Sequence, residues 1–195
     1  MRPSEAMALF KECGAWQEGH FELSSGQHSR EYFQCAVVLQ YPTLCARLCQ
    51  ALAERFMGDD ITVVAAPALG GILVGYEVAR ALGGIRSIFA ERQDGKLMLR
   101  RTFQVGPKDK VLVLEDVVTT GGSVEELIGL IRDAGAAVVG VGTLVDRSGG
   151  WVAFDVKYHA LVSVQVKAFP PSDCPLCKEG VSITKPGSRG IAKKH

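Results

Sequence analysis

Val111–Ser123 reads VLVLEDVVTTGGS. Four aliphatic residues are followed by two adjacent carboxylates, two further valines and a run of threonine, glycine and serine. An unbroken aliphatic run is what a strand covered on both sides requires, because successive side chains point to opposite faces of a sheet. The glycines after it let backbone amides converge on an anion, the hydroxyls add donors, and a helix beginning near Ser123 adds its dipole. Glu115 and Asp116 stand where the strand leaves the core, the end at which open parallel sheets bind ligands. Two acids beside a phosphate cradle suit sugar hydroxyls or a divalent cation, and a ribose phosphate satisfies both halves of the segment. The plainer alternative is a capped strand-to-helix turn whose acids are exposed by chance. No GK[ST] makes it a Walker loop, and the later GVGTLV does not complete GxGxxG.

The flanking sequence repeats the same texture. ITVVAA leads through PALGG into ILVGYEVARALG, RSIFAE resembles a strand, SVEELIGLIRDAG has helical periodicity, and AAVVGVGTLVD is strand-like again. Aliphatic strands alternating with helices predict an α/β core with three or four parallel strands between about Ile61 and Asp146. Upstream, Ser4 is a candidate N-cap for a helix over EAMALFKECGAW. HFEL and EYFQCAVVL read as strands around the turn SSGQHS, and Thr43–Met57 steps apolar residues by four, as an amphipathic helix does. The polar, basic stretch from Glu91 to Lys110 has turn signals at Asp94-Gly95 and Gly106-Pro107, so it reads as a hairpin or flap. HALVSVQVKAF predicts one more sheet element before a Pro-, Gly- and Lys-rich tail.

Composition narrows the class of partner. The chain has 195 residues, 47% hydrophobic and 22% charged, with a net charge of +1. That length suits one folded domain, and the charge provides no broad attraction for nucleic acid or an anionic membrane. The amino terminus lacks a secretion signal, and the longest uncharged stretch, Ile61–Tyr76, is interrupted by Pro67, Gly70 and Gly71. A cytoplasmic protein with small-molecule ligands is expected.

VLVLEDVVTTGGS closely resembles the phosphoribosyl pyrophosphate (PRPP) signature of the type I phosphoribosyltransferases. FELSSGQHSREYFQCA, APALGGILVG, VDRSGG, PSDCPLCKEG and KPGSR are similar to segments of the orotate-specific members, so the resemblance spans nearly the whole chain. It implies the type I fold: a central, mostly parallel sheet flanked by helices, a small hood from the N-terminal and C-terminal segments, and a flexible basic flap. The implied organisation is a single domain, with a helix and hairpin hood over 1–40, a PRPP-binding core over 61–147 and a tail over 170–195.

The same resemblance implies transfer of a phosphoribosyl group from PRPP to orotate, with Mg²⁺ carried by PRPP, in a homodimer with shared active sites. Glu115 and Asp116 match the acids that contact ribose hydroxyls, while Val117, Val118, Thr119, Thr120, Gly121, Gly122 and Ser123 continue the PRPP loop. Ala68, Leu69, Gly70 and Gly71 match the pyrophosphate loop. Thr119, Arg147, Ser25 and Gly26 match the orotate contacts, with Tyr32 and Phe33 behind them. A planar guanidinium such as Arg147 holds a carboxylate or a pyrimidine edge through two parallel hydrogen bonds. Ser24 and Gly70 stand where many orotate enzymes carry lysines. Arg92, Lys96, Arg100 and Arg101 in the flap, which in the family reaches the partner subunit's site, are candidate replacements. Type I enzymes for purine bases and noncatalytic PRPP-sensing regulators share the loop. A regulator would need a DNA-binding element, and neither a helix-turn-helix segment nor a basic excess is evident.

The chain has six cysteines, too few and too scattered for a disulfide scaffold. Cys174 and Cys177 have zinc-ligand spacing, but no second CxxC or HxxxH accompanies them, so further ligands would have to come from elsewhere in the fold or from a partner chain. His20, His28, His159 and His195 show no ligand spacing, and Cys45 and Cys49 share a helix face that predicts burial.

Overall fold

The computed structural model describes residues 1–23 and 25–186; Ser24, His195 and the end of KPGSR lie outside them. The chain begins with α1 (Pro3–Glu12), followed by the hairpin β1 (Trp16–Glu22) and β2 (His28–Phe33), then α2 (Cys35–Leu39) and α3 (Pro42–Ala53). The core comprises β3 (Val63–Pro67), α4 (Gly70–Ala81), β4 (Arg86–Gln93), β5 (Lys96–Leu99), β6 (Lys110–Val118), α5 (Gly122–Asp133), β7 (Ala137–Asp146) and β8 (Tyr158–Ser163). Short β9 (Ala168–Phe169) and α6 (Pro175–Lys178) follow. The main sheet runs β5-β4-β3-β6-β7-β8, and a second sheet runs β1-β2-β9. In the main sheet only the edge strand β5 pairs antiparallel.

The aliphatic runs are continuous because the main sheet has a core on each face. Val64, Ala66, Leu112 and Leu114 turn toward α1, α2, α3 and α4, while Val63, Ala65, Val111 and Val113 turn toward α5. All eight are fully buried, and each Val or Leu contributes roughly 1.5–3 kcal/mol by leaving water. The glycines of GVGTLV serve this packing rather than a nucleotide. A Cβ at Gly140 would lie 2.9 Å from the Phe56 ring, and one at Gly142 would lie 2.7 Å from Leu114 Cδ2. Phe56 thus lies against β7, with its other contacts at His159 and Lys157.

Several local expectations are corrected. The first helix starts at Pro3, whose fixed φ suits the first helical position, and the Arg2 amide donates to Glu5 Oε2 at 2.7 Å. It ends before Gly14, at φ +78°, so Trp16 already belongs to β1. CAVVL is helical rather than extended, because Cys35, Val38 and Leu39, spaced three and four apart, reach the core together. HALVSVQVKAF divides between β8 in the main sheet and β9 in the small one. The parallel strands between Ile61 and Asp146 are β3, β4, β6 and β7, as expected, and β8 adds a fifth. The longest helices have 12 residues, and none of the described helices is long and apolar enough to cross a membrane.

Replacing Phe56 with alanine removes the ring on which β7 rests, an expected loss of about 3–5 kcal/mol. Urea unfolding measures it, and a loss below about 1 kcal/mol would show that the site collapses freely.

Candidate active site

Parallel register collects the candidate residues at one edge. β6 and β7 pair with Val118 opposite Asp146, which sets Thr119 beside Arg147, and the Arg147 amide donates to the Val118 carbonyl at 2.8 Å. The loop after β3 arrives alongside, its Ala68 amide donating to the Ala90 carbonyl at 2.9 Å. The Ala68–Leu69 peptide is cis. A Cβ at Gly70 would lie 2.5 Å from Asp116 Cγ, and one at Gly71 would lie 3.3 Å from Glu115 Oε1. The glycines therefore let the two loops touch, and any side chain at Gly70 would first have to displace the Asp116 carboxylate.

Glu115 and Asp116 are half-buried neighbours, linked through the Asp116 amide, which donates to Glu115 Oε1 at 3.2 Å. Burial first, and then the adjacent Asp116, push the Glu115 carboxyl up to about 9. It retains its proton at neutral pH until a cation or a set of donors arrives. The Thr143 hydroxyl and, more distantly, the Cys35 thiol donate to the Asp116 carbonyl and brace the strand end. Among the described residues no third metal-ligating side chain joins the two acids in a cluster.

After Val118 the chain wraps a concavity of about 50 Å³ lined by Thr119, Thr120, Gly121, Gly122 and Ser123, with Glu115, Val117 and Val118 at its base. Gly121 has φ +80°, and a Cβ there would also lie 2.9 Å from Val152 Cγ1. α5 begins at Gly122, so its unpaired amides open on this concavity. Larger hollows lie elsewhere, one of about 730 Å³ between α3 and α4 and lined by Arg47 and Glu77 among others, but they contain none of the strand-end acids.

Arg147 is half-buried, and its Nε is buried without a hydrogen-bond partner. Burial draws its pKa below the ordinary guanidinium value, an effect the Tyr32 hydroxyl opposes. Such a group is left to pair with an incoming acceptor. Asp146, also buried, accepts the Ser148 amide at 2.7 Å and shapes the turn that carries Arg147. The pattern Asp-x-Ser in VDRS is the local signal for that turn.

The basic hairpin forms around Asp94 and Gly95, both at positive φ, as the turn signal predicted. Arg92 binds Ser123 Oγ at 3.3 Å and Glu126 at 2.9 Å, so it is anchored to α5 in its own chain. Arg101 pairs with Glu91 at 3.0 Å. Lys96 and Arg100 are exposed and make no ion pair among the described residues. Ser25 and Gly26 form the tip of the β1–β2 hairpin, where the Gly26 amide donates to Leu23 at 2.9 Å. No hydrogen bond among the described residues links them to the strand-end loops. Phe33 is core, packed on Phe10 at 5.1 Å, whereas the Tyr32 hydroxyl donates to Gln34 Oε1 at 3.2 Å and its ring lies 5.6 Å from that of Phe21.

Two groups of side chains outside the quoted motifs also matter. Val152 and Phe154, which carried no motif, pack over Gly121 and close the back of the loop. His20 and His28, read as lacking ligand spacing, meet Cys174 and Cys177 in the small sheet. Hairpin register and the returning C-terminal segment bring them together, neither of which linear spacing encodes.

A family model described as a phosphoribosyl transferase domain matches residues 38–172. The chain is 53% identical over 191 residues to an orotate phosphoribosyltransferase of Pelotomaculum thermopropionicum, covering 98% of this chain and 100% of the other. It is 52% identical over 191 residues, with the same coverage, to one of Desulforamulus reducens. The crystal structure of orotate phosphoribosyltransferase from Aeropyrum pernix superposes with a TM-score of 0.69 at 25% identity, covering 82% of this chain and 93% of that one.

Because the folded carboxyl of Glu115 titrates near 9 against an ordinary 4.5, the stability it contributes is complete below about pH 4.5 and is lost as pH rises to about 9. The slope is at most about 1.4 kcal/mol per pH unit for one proton. Glu115→Gln should flatten that decline and be the more stable variant at pH 9, measured by urea unfolding at pH 5, 7 and 9. Parallel curves for the two proteins would remove Glu115 as the source.

Proposed function

From the premise that this chain belongs to the phosphoribosyltransferase family, and within it to the orotate phosphoribosyltransferases, we propose how its strand-end residues divide the work of the reaction. The enzyme transfers the 5-phosphoribosyl group of PRPP to N1 of orotate, giving orotidine 5′-phosphate and pyrophosphate, in pyrimidine biosynthesis. The observation that carries the assignment of roles is the adjacency of three features: the acid pair, the glycine loop at the start of α5, and Arg147, whose buried Nε has no partner, beside Thr119.

In this reading the amides and hydroxyls from Thr119 to Ser123 bind the 5-phosphate, with Val117 and Val118 leading into the loop. Glu115 and Asp116 accept hydrogen bonds from the ribose hydroxyls, and the donors restore the charge that burial suppresses on Glu115. Ala68, Leu69, Gly70 and Gly71 receive the pyrophosphate at the start of α4. Arg147, Thr119, Ser25 and Gly26 orient orotate. As the N1–C1′ bond forms, the bond from C1′ to pyrophosphate oxygen breaks and N1 gives up its proton. Positive charge develops on the sugar and negative charge on the leaving group, so fixed charges and exclusion of water carry the catalysis without a protein nucleophile.

Mg²⁺ neutralises the pyrophosphate oxygens when bound. The acid pair offers too few ligands for a protein cage, which fits an ion that keeps substrate oxygens and water in its coordination shell. A homodimer is supported by the outward apolar residues Leu69, Leu73 and Tyr76, spaced four and three along the start of α4, with Leu69 83% exposed and Tyr76 64% exposed. Lys96 and Arg100 are the flap cations with freedom to reach a neighbouring site, while Arg92 and Arg101 hold the hairpin's shape. A cytoplasmic setting, checked by cell fractionation, suits the free thiols Cys45 and Cys49, whose sulfurs are 3.9 Å apart.

The experiment is a spectrophotometric assay of orotate loss with PRPP and Mg²⁺, run beside adenine, hypoxanthine and uracil and repeated with EDTA. Turnover should require orotate and Mg²⁺, and Arg147→Ala should lower kcat/KM for orotate by at least about 100-fold, as expected for a charge-assisted contact worth roughly 3 kcal/mol. PRPP affinity should change little; unchanged orotate kinetics would reject the role of Arg147. Light scattering should give twice the chain mass, and Tyr76→Glu should reduce it toward one chain; a wild-type monomer would reject the dimer.

A further inference from the structure

The small sheet holds a side-chain cluster that the transfer reaction does not use. His20 on β1, His28 on β2, and Cys174 and Cys177 around the start of α6 each present one ligand atom, all within 4.8 Å of one another. His20 Nε2 lies 3.1 Å from His28 Nδ1, 3.5 Å from Cys174 Sγ and 3.7 Å from Cys177 Sγ, and His28 Nδ1 lies 3.2 Å from Cys177 Sγ. Tetrahedral zinc, with bonds of about 2.0–2.1 Å to nitrogen and about 2.3 Å to sulfur, requires N···N edges of about 3.35 Å and N···S edges of about 3.55 Å. The three N···S spacings straddle that edge, and the single N···N spacing of 3.1 Å is slightly shorter than its edge.

Hydrogen bonding alone does not account for the convergence. His20 Nδ1 donates to the Val181 carbonyl at 2.8 Å, so it carries the ring proton in the neutral imidazole, and Nε2 has only a lone pair. Three groups approach that single lone pair. The same carbonyl contact is the kind of outer partner that orients a metal-bound imidazole. His20, His28 and Cys174 are buried, while Cys177 is exposed and leaves a route for an ion to enter. Four ligands close the coordination shell, and two thiolates with two imidazoles select zinc over magnesium or calcium.

We infer that His20, His28, Cys174 and Cys177 bind one structural Zn²⁺ ion, which ties the β1–β2 hairpin to the C-terminal segment. Other contacts join the same segments, among them the Ser29 hydroxyl donating to the Lys167 carbonyl at 2.9 Å and the Arg30–Glu179 and Lys185–Glu22 ion pairs. β9 pairs with β2 over two residues, and Thr184 forms an isolated bridge with Phe21. His28 follows the hairpin tip by one residue after Gln27, so the ion also steadies Ser25 and Gly26. That last consequence rests on the orotate role proposed for them above.

Metal analysis of the full chain, expressed without a metal-affinity tag and supplied with ZnCl₂ before desalting, should find one zinc per chain. A mercurial thiol reagent should release it. Cobalt exchanged into the wild-type protein should show the visible bands of a tetrahedral ion together with a thiolate charge-transfer band, a signature that does not depend on the folding of any variant. Cys174→Ser/Cys177→Ser should lose the zinc, and hydrogen exchange in metal-stripped wild type should speed in β1 and β2 while β6 stays protected. Zinc below one tenth per chain after supplementation, or cobalt without a thiolate band, would overturn the site. Steady-state kinetics separate the two readings: stripping should raise KM for orotate several-fold more than KM for PRPP. Stoichiometric zinc in a chain that does not use orotate would leave the metal site standing and reject the transferase reading. Orotate turnover without zinc binding would do the reverse.

Discussion

β6 is covered on both faces along its aliphatic length, so its polar residues are confined to its ends, Lys110 at the start and Glu115 and Asp116 where the aliphatic run stops. Val111 to Leu114 alternate between two cores and leave no side on which a carboxylate could reach water. Glu115 and Asp116 appear as soon as the strand emerges. β3 is apolar throughout, β7 admits only Thr143, whose hydroxyl donates to backbone carbonyls, before Asp146, and parallel register aligns their ends, so the loops after all three strands meet. The site is the place where a two-sided core stops.

That arrangement leaves local costs that a ligand can relieve. Glu115 is held protonated by burial and by its neighbour, and Arg147 keeps a buried Nε without a partner. Both are ordinary charged residues in an incomplete setting, and a sugar diphosphate with an acidic base would supply donors to one and acceptors to the other. Gly70, Gly71 and Gly121 make the setting possible by letting backbone approach carboxylate and loop approach strand. Bare loops and crowded charges are two aspects of one geometry.

Much of this was legible in linear order. The aliphatic runs, the acids at Glu115–Asp116, the TTGGS loop and the Asp94-Gly95 turn are local signals, and each lies where its period or turn chemistry indicates. CAVVL was misread because its β-branched residues suit a strand locally, whereas the core takes up Cys35, Val38 and Leu39 on one helical face. The resemblance makes Arg92 a candidate flap cation, and linear order carries no sign that α5 brings Glu126 and Ser123 to it.

By itself the sequence determined the α/β class, the TTGGS loop and the acids beside it, because strand burial and loop chemistry both depend on residues adjacent along the chain. Tertiary structure alone decided that Arg147 lies beside Thr119, that Gly70 abuts Asp116, and that His20 and His28 meet Cys174 and Cys177. The physical reason is separation: His20 and Cys177 are 157 residues apart. Only the closing of the small sheet by a returning C-terminal strand brings those atoms within reach of one ion.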